Sequence, residues 1–500
     1  MTIRRVATAL LLVAALGLAA PAHAHVGSFD AVQDGMAGPY HLLVTIRPPE
    51  VIPGVAGIDV RAFDDDVTRV SVVPLPILGP GAKSPPVPDV ARPSPDDSHL
   101  YGSTLWLMRT GAWKIRVTVE GARGTGELSV PIPALARAVR PMPRYLGALL
   151  VGLFGLLVSA AIAIAGASLR EADLPAGAQP DGRRVARGRR AMAITAALLA
   201  LGIFGGRRWW NAEAASFQRL VYKPLQVAVT RPSPDRLSLS LADPGWLSWR
   251  RTDDLVPDHG HLMHLFLVRT PGLDAIAHLH PKVDGQASGQ GDGSARFVQA
   301  SPPLPAGSYR LFGDIVHANS IDETVTASLD LGGEPGAAGP DLDGARFDRD
   351  DAVAVIPRSG SVASPAFAFP DGRGGLRWLD ARTLRADQTV VLELEADGPD
   401  GQPTGVEAYM GMAGHAMILA RDGSVFAHVH PTGSVPMAAM AMVDDGQIVD
   451  HSRHHGMVFA PRVRFPYVFP HAGAYRLFVQ VKLGGRIETA AWDVDVAPSR

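Results

Sequence analysis

Short runs in which apolar and polar residues alternate recur through most of the chain. Three of them share one form: Gly111-Ala112-Trp113-Lys114-Ile115-Arg116-Val117, Gly307-Ser308-Tyr309-Arg310-Leu311-Phe312 and Gly473-Ala474-Tyr475-Arg476-Leu477-Phe478. Each is glycine, a small residue, an aromatic, a base and then an alternating strand, near the end of a block rich in short strands. A period of two places the apolar side chains on one face of a sheet. The pattern predicts a mainly β protein with three immunoglobulin-like β-sandwich domains, over 25–143, 207–331 and 352–500. The Gly/Pro-rich stretch 332–351 reads as the linker between the last two.

The alternation stops at three continuous apolar runs. The first, Val6 to Ala20, follows Arg4-Arg5 and precedes Ala22-His23-Ala24, the form of a secretory signal peptide over 1–24 that leaves His25 at the mature N-terminus. A free N-terminal histidine offers its amine and imidazole to one copper ion. Tyr145 to Leu169 is 25 residues without a charge, enough to cross a hydrocarbon core about 30 Å thick. Ala191 to Gly206 is shorter, at 16 residues, but runs into Arg207-Arg208-Trp209-Trp210, which suit a membrane interface. Between them, 170–190 carries six Arg against three acids. The expectation is a two-helix transmembrane hairpin, 145–169 and 191–206, in a bacterial inner membrane. The exported N-terminus puts the Arg-rich loop in the cytoplasm and all three β-domains in the periplasm.

Composition removes several classes of function. With no cysteine, disulfides, zinc–thiolate sites, iron–sulfur clusters and cysteine nucleophiles are excluded. Lys+Arg 47 against Asp+Glu 49 leaves no basic field for nucleic acid. No GxSxG, Walker, Rossmann or HExxH pattern occurs, and the expectation is a protein that is not an enzyme.

What stands out is an internal repeat. His264 begins an apolar strand that leads through a turn to Ala277-His278-Leu279-His280-Pro281, and His415 begins one that leads to Ala427-His428-Val429-His430-Pro431. The first-to-second histidine separations are 14 and 13 residues. His259 and His261 stand five and three residues before His264, and Met410 and Met412 stand five and three before His415. The same places are thus imidazole in one domain and thioether in the other.

In a strand, residues i and i+2 share a face, so each His-x-His pair sets two imidazoles side by side. Imidazole suits copper, zinc and nickel, whereas thioether sulfur selects Cu(I). Seven of the 13 Met fall between 410 and 457 and 13 of the 17 His between 259 and 471, among them Met437, Met440, Met442, Met457, His451, His454 and His455. The candidate metal ligands are His259, His261, His264, His278 and His280 in the second domain, a harder set. In the third they are Met410, Met412, His415, His428 and His430, a softer one. Two adjacent sites of different softness suit handing an ion from one to the other.

Bland readings stand beside these. Met417 lies in an apolar strand and reads as core. Met437, Met440 and Met442 are ligands or an exposed apolar patch. His41 and His99 are isolated and structural. Arg310 and Arg476 pair with a carboxylate or line the solvent face. Asp258 and Asp314 are available carboxylates that nothing in the pattern fixes. The competing function is an envelope assembly or protein-interaction module without metal, in which the His-x-His-Pro pairs finish strands.

The segment 414–431, closed by 472–478, resembles one recurring in bacterial exported proteins associated with copper or heavy-metal handling. The N-terminal block, with Arg47-Pro48-Pro49 and the Trp113 strand, resembles YtkA-like immunoglobulin-type domains, and His25 resembles the N-terminus of CopC-type copper-resistance proteins, without matching His and Asp partners. The resemblance implies a membrane-anchored periplasmic copper-binding, delivery or resistance protein. Its partners would be the metal ion, the inner membrane and a protein of the envelope, with no nucleic acid.

Overall fold

The computed structural model describes residues 25–26, 30–175, 177–246, 250–284, 295–332, 342, 344, 346–356, 359–361, 364–379, 382–443 and 456–499. The signal-peptide stretch and His451, His454 and His455 lie outside the described residues, and of His25 only the backbone is described. The chain divides into two compact bodies, Ala136–Tyr222 and the remainder.

Ala136–Tyr222 is a helical hairpin. Helix α1, Arg144–Glu171, and helix α2, Gly182–Leu220, are both long and apolar enough to cross a membrane. Most of their apolar residues face outward, among them Leu149, Val151, Leu156, Leu198 and Leu201. The second helix differs from the expected 191–206. It begins inside the Arg-rich loop, where the Asp181 carboxylate accepts a hydrogen bond from Arg184 N at 2.7 Å, and runs 39 residues through Arg207-Arg208-Trp209-Trp210 to Leu220. The apolar stretch does not set the length of the helix, because Arg, Ala and Glu extend it readily beyond that stretch. The loop shrinks to 172–181, and the next strand begins at Gln226, not near 207. The helices approach most closely where Gly166 faces Gly188. A Cβ added at Gly188 would lie 2.9 Å from the Gly166 carbonyl oxygen.

The other body holds the three sandwiches. The N-terminal one pairs a 5-stranded sheet with a 4-stranded sheet, the second a 6- with a 4-stranded sheet, and the third an 8- with a 4-stranded sheet. Ala352–Val355, expected in the third domain, is an edge strand of the second domain's 6-stranded sheet, and His25–Val26 is an edge strand of the 8-stranded one. The strands that position the site lie in the larger sheets of the last two. In the second domain these are β1 (His264–Thr270), β2 (Ala275–Leu279) and β3 (Gly307–His317), with β1 between the others. Their counterparts in the third are β4 (His415–Ala420), β5 (Val425–Val429) and β6 (Gly473–Leu483), with β4 between the others.

An alternating strand buries one face. These bury both, which is why they read as unbroken apolar runs. Leu265, Leu267, Ala275, Ala277 and Leu279 point into the second domain's own core, and Ala416, Ile418, Val425, Ala427 and Val429 into the third's. The opposite faces meet each other: Phe266, Val268, Ile276 and Phe312 pack with Met417, Leu419, Phe426 and Phe478 in one cluster. Phe312 and Phe426 stack across this seam at 4.1 Å between centroids. Met417 is therefore core, as its strand suggests, but the core between two domains.

Arginines close the seam reciprocally. Arg310 Nη1 donates to the Gly423 carbonyl at 2.6 Å, in the turn between β4 and β5. Arg476 Nη1 donates to the Leu273 carbonyl at 2.8 Å, in the turn between β1 and β2, while it also pairs with Asp493. The N-terminal sandwich docks beside the β5 end, where Asp34 N donates to Thr432 O at 2.7 Å, and backbone His25–Val26 lies parallel to β5. His41 and His99 lie apart from the histidine cluster, beside Asp34 and Asp65.

Candidate metal centre

The period of two that turns Phe266 and Phe426 toward the seam turns the histidines there too, since His264, His278 and His280 share the face of Phe266 and Ile276, and His415, His428 and His430 that of Met417 and Phe426. The two expected ligand sets therefore meet in one place. His264, His278 and His280 form one group whose donor atoms lie within 4.8 Å of one another, and His415, His428 and His430 form another. Ring centroids of His264 and His428 are 5.3 Å apart, those of His278 and His428 5.5 Å.

The segments before β1 and β4 make the same turn. Asp258 and His261 exchange backbone hydrogen bonds at 2.9 Å, and Tyr409 and Met412 do so at 2.8 and 3.0 Å. The central residues are left-handed in both: His259 φ 50 and Gly260 φ 87, Met410 φ 49 and Gly411 φ 78. Glycine takes the second place because two successive positive φ values are costly for residues with a Cβ. The turn sets His259 with centroids 5.0 Å from His430 and 5.4 Å from His415 in the other domain, and stacks His261 on His280 at 3.9 Å. All eight predicted histidines thus join one cluster. Met410 and Met412 are buried in the counterpart turn.

The outer partners decide the tautomers. Nε2 of His264 lies 3.1 Å from the Asp258 carbonyl oxygen, which can only accept, so the proton is on Nε2 and the lone pair on Nδ1. Nδ1 of His278 lies 2.9 Å from Oε1 of Gln480 and 3.2 Å from Tyr409 Oη, whose own proton goes to the Asp350 carbonyl at 2.9 Å, so Nδ1 is the donor. The His278 lone pair is therefore on Nε2. These two nitrogens, each presenting a lone pair, face each other at 3.2 Å.

The third domain has the same arrangement of rings. Nε2 of His415 is 3.3 Å from the Tyr409 carbonyl oxygen, which puts its lone pair on Nδ1, and that nitrogen faces Nε2 of His428 at 3.1 Å, with Nδ1 of His428 3.5 Å from the Asp314 carboxyl group. A proton between the His264 and His278 nitrogens would relieve their repulsion, but burial opposes it. Desolvation pushes His264 down to about 4, and His278, His415 and His428 well below the usual imidazole range. A cation relieves it without protonation. Tetrahedral imidazole ligands at roughly 2.0–2.1 Å from a metal lie about 3.3 Å from one another.

The third members fit the same role. Asp351 accepts from Nδ1 of His280 at 2.9 Å and from its backbone N–H at 2.8 Å. This leaves Nε2 of His280 without a hydrogen-bond partner among the described residues. A carboxylate behind a histidine fixes the ring and raises its basicity as a ligand. Two flanking groups add carboxylates: Asp258, His259 and His430, which crosses the seam, and His261, His280 and Asp348.

Asp348, Asp350 and Asp351 correct the linker reading of 332–351. The end of that stretch is part of the site, and the acidic run Asp348-Arg349-Asp350-Asp351 after the glycines was the signal. Asp350 lies 3.7 Å from His261 and accepts, through its carbonyl, from Tyr409 Oη at 2.9 Å. Gln480 carried no sequence signal. The exposed-patch reading of the methionine insertion is also corrected: Met437–Ala441 is a short helix, α3, with Met440 buried and Met437 and Met442 half-buried. Its Ala438 N–H donates to the Asp258 carboxylate at 2.7 Å.

Residues 374–498 match a family described as a domain of unknown function (DUF8832). That quarter of the chain contains the third domain's triad and none of the second's. Comparison with curated proteins gives no match. Solved structures that align over most of the chain include a bacterial ice-binding adhesin of host cell surface retention, at 7% identity and TM-score 0.14 over 93% of this chain and 99% of that one. Salmonella alpha-2-macroglobulin aligns at 11% identity and TM-score 0.19 over 92% of this chain and 24% of that one. The chicken CNTN1 FN1–FN3 domains align at 8% identity and TM-score 0.13 over 90% and 97%. At such TM-scores these likenesses carry no argument about function.

Proposed function

We propose that this is a membrane-anchored periplasmic protein that binds copper at the seam between its second and third β-sandwiches, for copper delivery or resistance and not for catalysis. The observation that carries the metal reading is the pair of buried histidine triads, each with its ring nitrogens within 4.8 Å of one another and one nitrogen pair facing at 3.2 or 3.1 Å. Copper is favoured over zinc by a donor region of histidine and methionine with no cysteine in the chain. Anchoring is supported by two outward-apolar helices of spanning length, and export by the N-terminal sequence.

The test is metal content of the full chain, purified from membranes in detergent and titrated with Cu(I) and Cu(II). Stoichiometric copper, lost when His278, His280, His428 and His430 are changed to Ala, supports the reading. No tight metal in the unaltered protein overturns it and favours the interaction module. For the softer donors, Met410→Leu with Met412→Leu is expected to weaken Cu(I) more than Cu(II), and unchanged Cu(I) affinity removes the methionines from the site.

A further inference from the structure

We propose that the cluster is a dinuclear centre, with one ion in each histidine triad and the two sharing a single water-sized oxygen ligand. This rests on the metal-binding reading above and adds the number of ions and the ligand between them.

The first argument is that each triad is complete by itself. His264, His278 and His280 come from the second domain alone, His415, His428 and His430 from the third alone, and each set brings three imidazole nitrogens within 4.8 Å of one another, with one facing pair at 3.2 or 3.1 Å. An ion seated in one triad leaves the three buried imidazoles of the other without a metal.

The second argument is proximity. Ring centroids across the seam lie 5.3 Å (His264–His428), 5.5 Å (His278–His428) and 6.1 Å (His278–His415) apart. Two cations this near repel strongly in a buried site, and a negative ligand between them offsets the repulsion. A cavity of about 40 Å³ touches both triads, lined by Asp258, His261, His264, Asp314, His428 and His430. A cavity needs about 10–15 Å³ of such space to hold a water, so there is room for a water or hydroxide. Carboxyl groups border both triads, Asp351 behind His280 and Asp314 beside His428.

The experiment loads the full-length protein in detergent with Cu(II), measures copper per chain by mass spectrometry, and counts unpaired spins by low-temperature EPR. The expected result is two coppers per chain with a spin count well below two, because a shared oxygen ligand couples the ions. His264→Ala with His278→Ala, and separately His415→Ala with His428→Ala, are expected to retain one copper with a full one-spin signal. Near-UV circular dichroism checks that each variant folds, and if one does not, the wild-type stoichiometry and spin count still decide. One copper per chain overturns the second ion while leaving metal binding intact. Two coppers with a full two-spin signal overturn the shared ligand. No copper overturns both this inference and the reading beneath it.

Discussion

Asp314 and Gln480 hold the same place in the two domains, and each serves the other domain's histidine. Asp314 pairs in register with His264 on the adjacent strand, and Gln480 pairs with His415. Across the seam, Asp314 approaches His428 Nδ1 at 3.5 Å and Gln480 accepts from His278 Nδ1 at 2.9 Å. The two triads are thus alike in geometry and unlike in what stands behind them: a carboxylate in one and a neutral amide in the other.

That difference makes the triads separable. Asp314→Asn is expected to weaken metal at the third-domain triad by about 10–100-fold, the usual effect of losing such a partner, and to leave the second-domain triad nearly unchanged. Gln480→Glu should strengthen the second-domain triad instead. Competition titrations against a chromophoric chelator measure both, and equal effects at both triads would contradict the assignment.

The reciprocal arginines should differ in weight. Arg476 is buried and holds Asp493 at 2.7 Å as well as the Leu273 carbonyl. Arg476→Ala is expected to cost roughly 1.5–3 kcal/mol, the range for hydrogen bonds to charged groups, and Arg310→Ala, which loses its bond to Gly423 O, about 1 kcal/mol. Thermal unfolding of the two variants side by side checks the order. Gly423→Ala should cost more than Arg310→Ala, since its Cβ would fall 1.7 Å from Arg310 Nη1 and its φ of 74 is a backbone that residues with a Cβ rarely adopt.

Asp493 gives a pH dependence. Burial raises its pKa, but hydrogen bonds from Arg476 and Ser359 and the charges of Arg476 and Arg421 outweigh this and bring it from 3.8 down to about 2. A carboxyl with a depressed folded-state pKa stabilises the fold fully above its unfolded value of 3.8, and that contribution is lost as pH falls toward 2. Unfolding followed from pH 5 to pH 2 should therefore show a fall that is shallower in Asp493→Asn.

In the helical hairpin, Gly188→Ala should be worse than Gly166→Ala. The new Cβ at 188 meets a backbone oxygen at 2.9 Å, which cannot move aside, whereas the one at 166 meets the flexible Met192 side chain at 2.5 Å. Thermal melting of the purified protein in detergent, followed in the far ultraviolet, compares them. Equal melting temperatures would show that the close approach contributes little.

Much of the site was legible because strand periodicity is local. His278 and His280, and His428 and His430, share a face by spacing alone, and the turn shared by His259–Gly260 and Met410–Gly411 shows in the sequence as matched offsets. Other features were not legible because they depend on partners far along the chain. Gln480 meets His278 across 202 positions, and Asp351 meets His280 across 71. The helix from Gly182 is longer than its apolar stretch because helix length follows caps and propensity, not hydrophobicity alone.

The sequence by itself determined the β class, the repeat, and which histidines share a strand face, since each follows from residue spacing. That the two sets form one buried cluster was decided only by the tertiary structure, which packs two sheets face to face. The unbroken apolar runs of β1, β2, β4 and β5 require that second face to be covered. Nothing in the sequence says that each covers the other, because the covering surface is assembled from side chains more than a hundred residues apart.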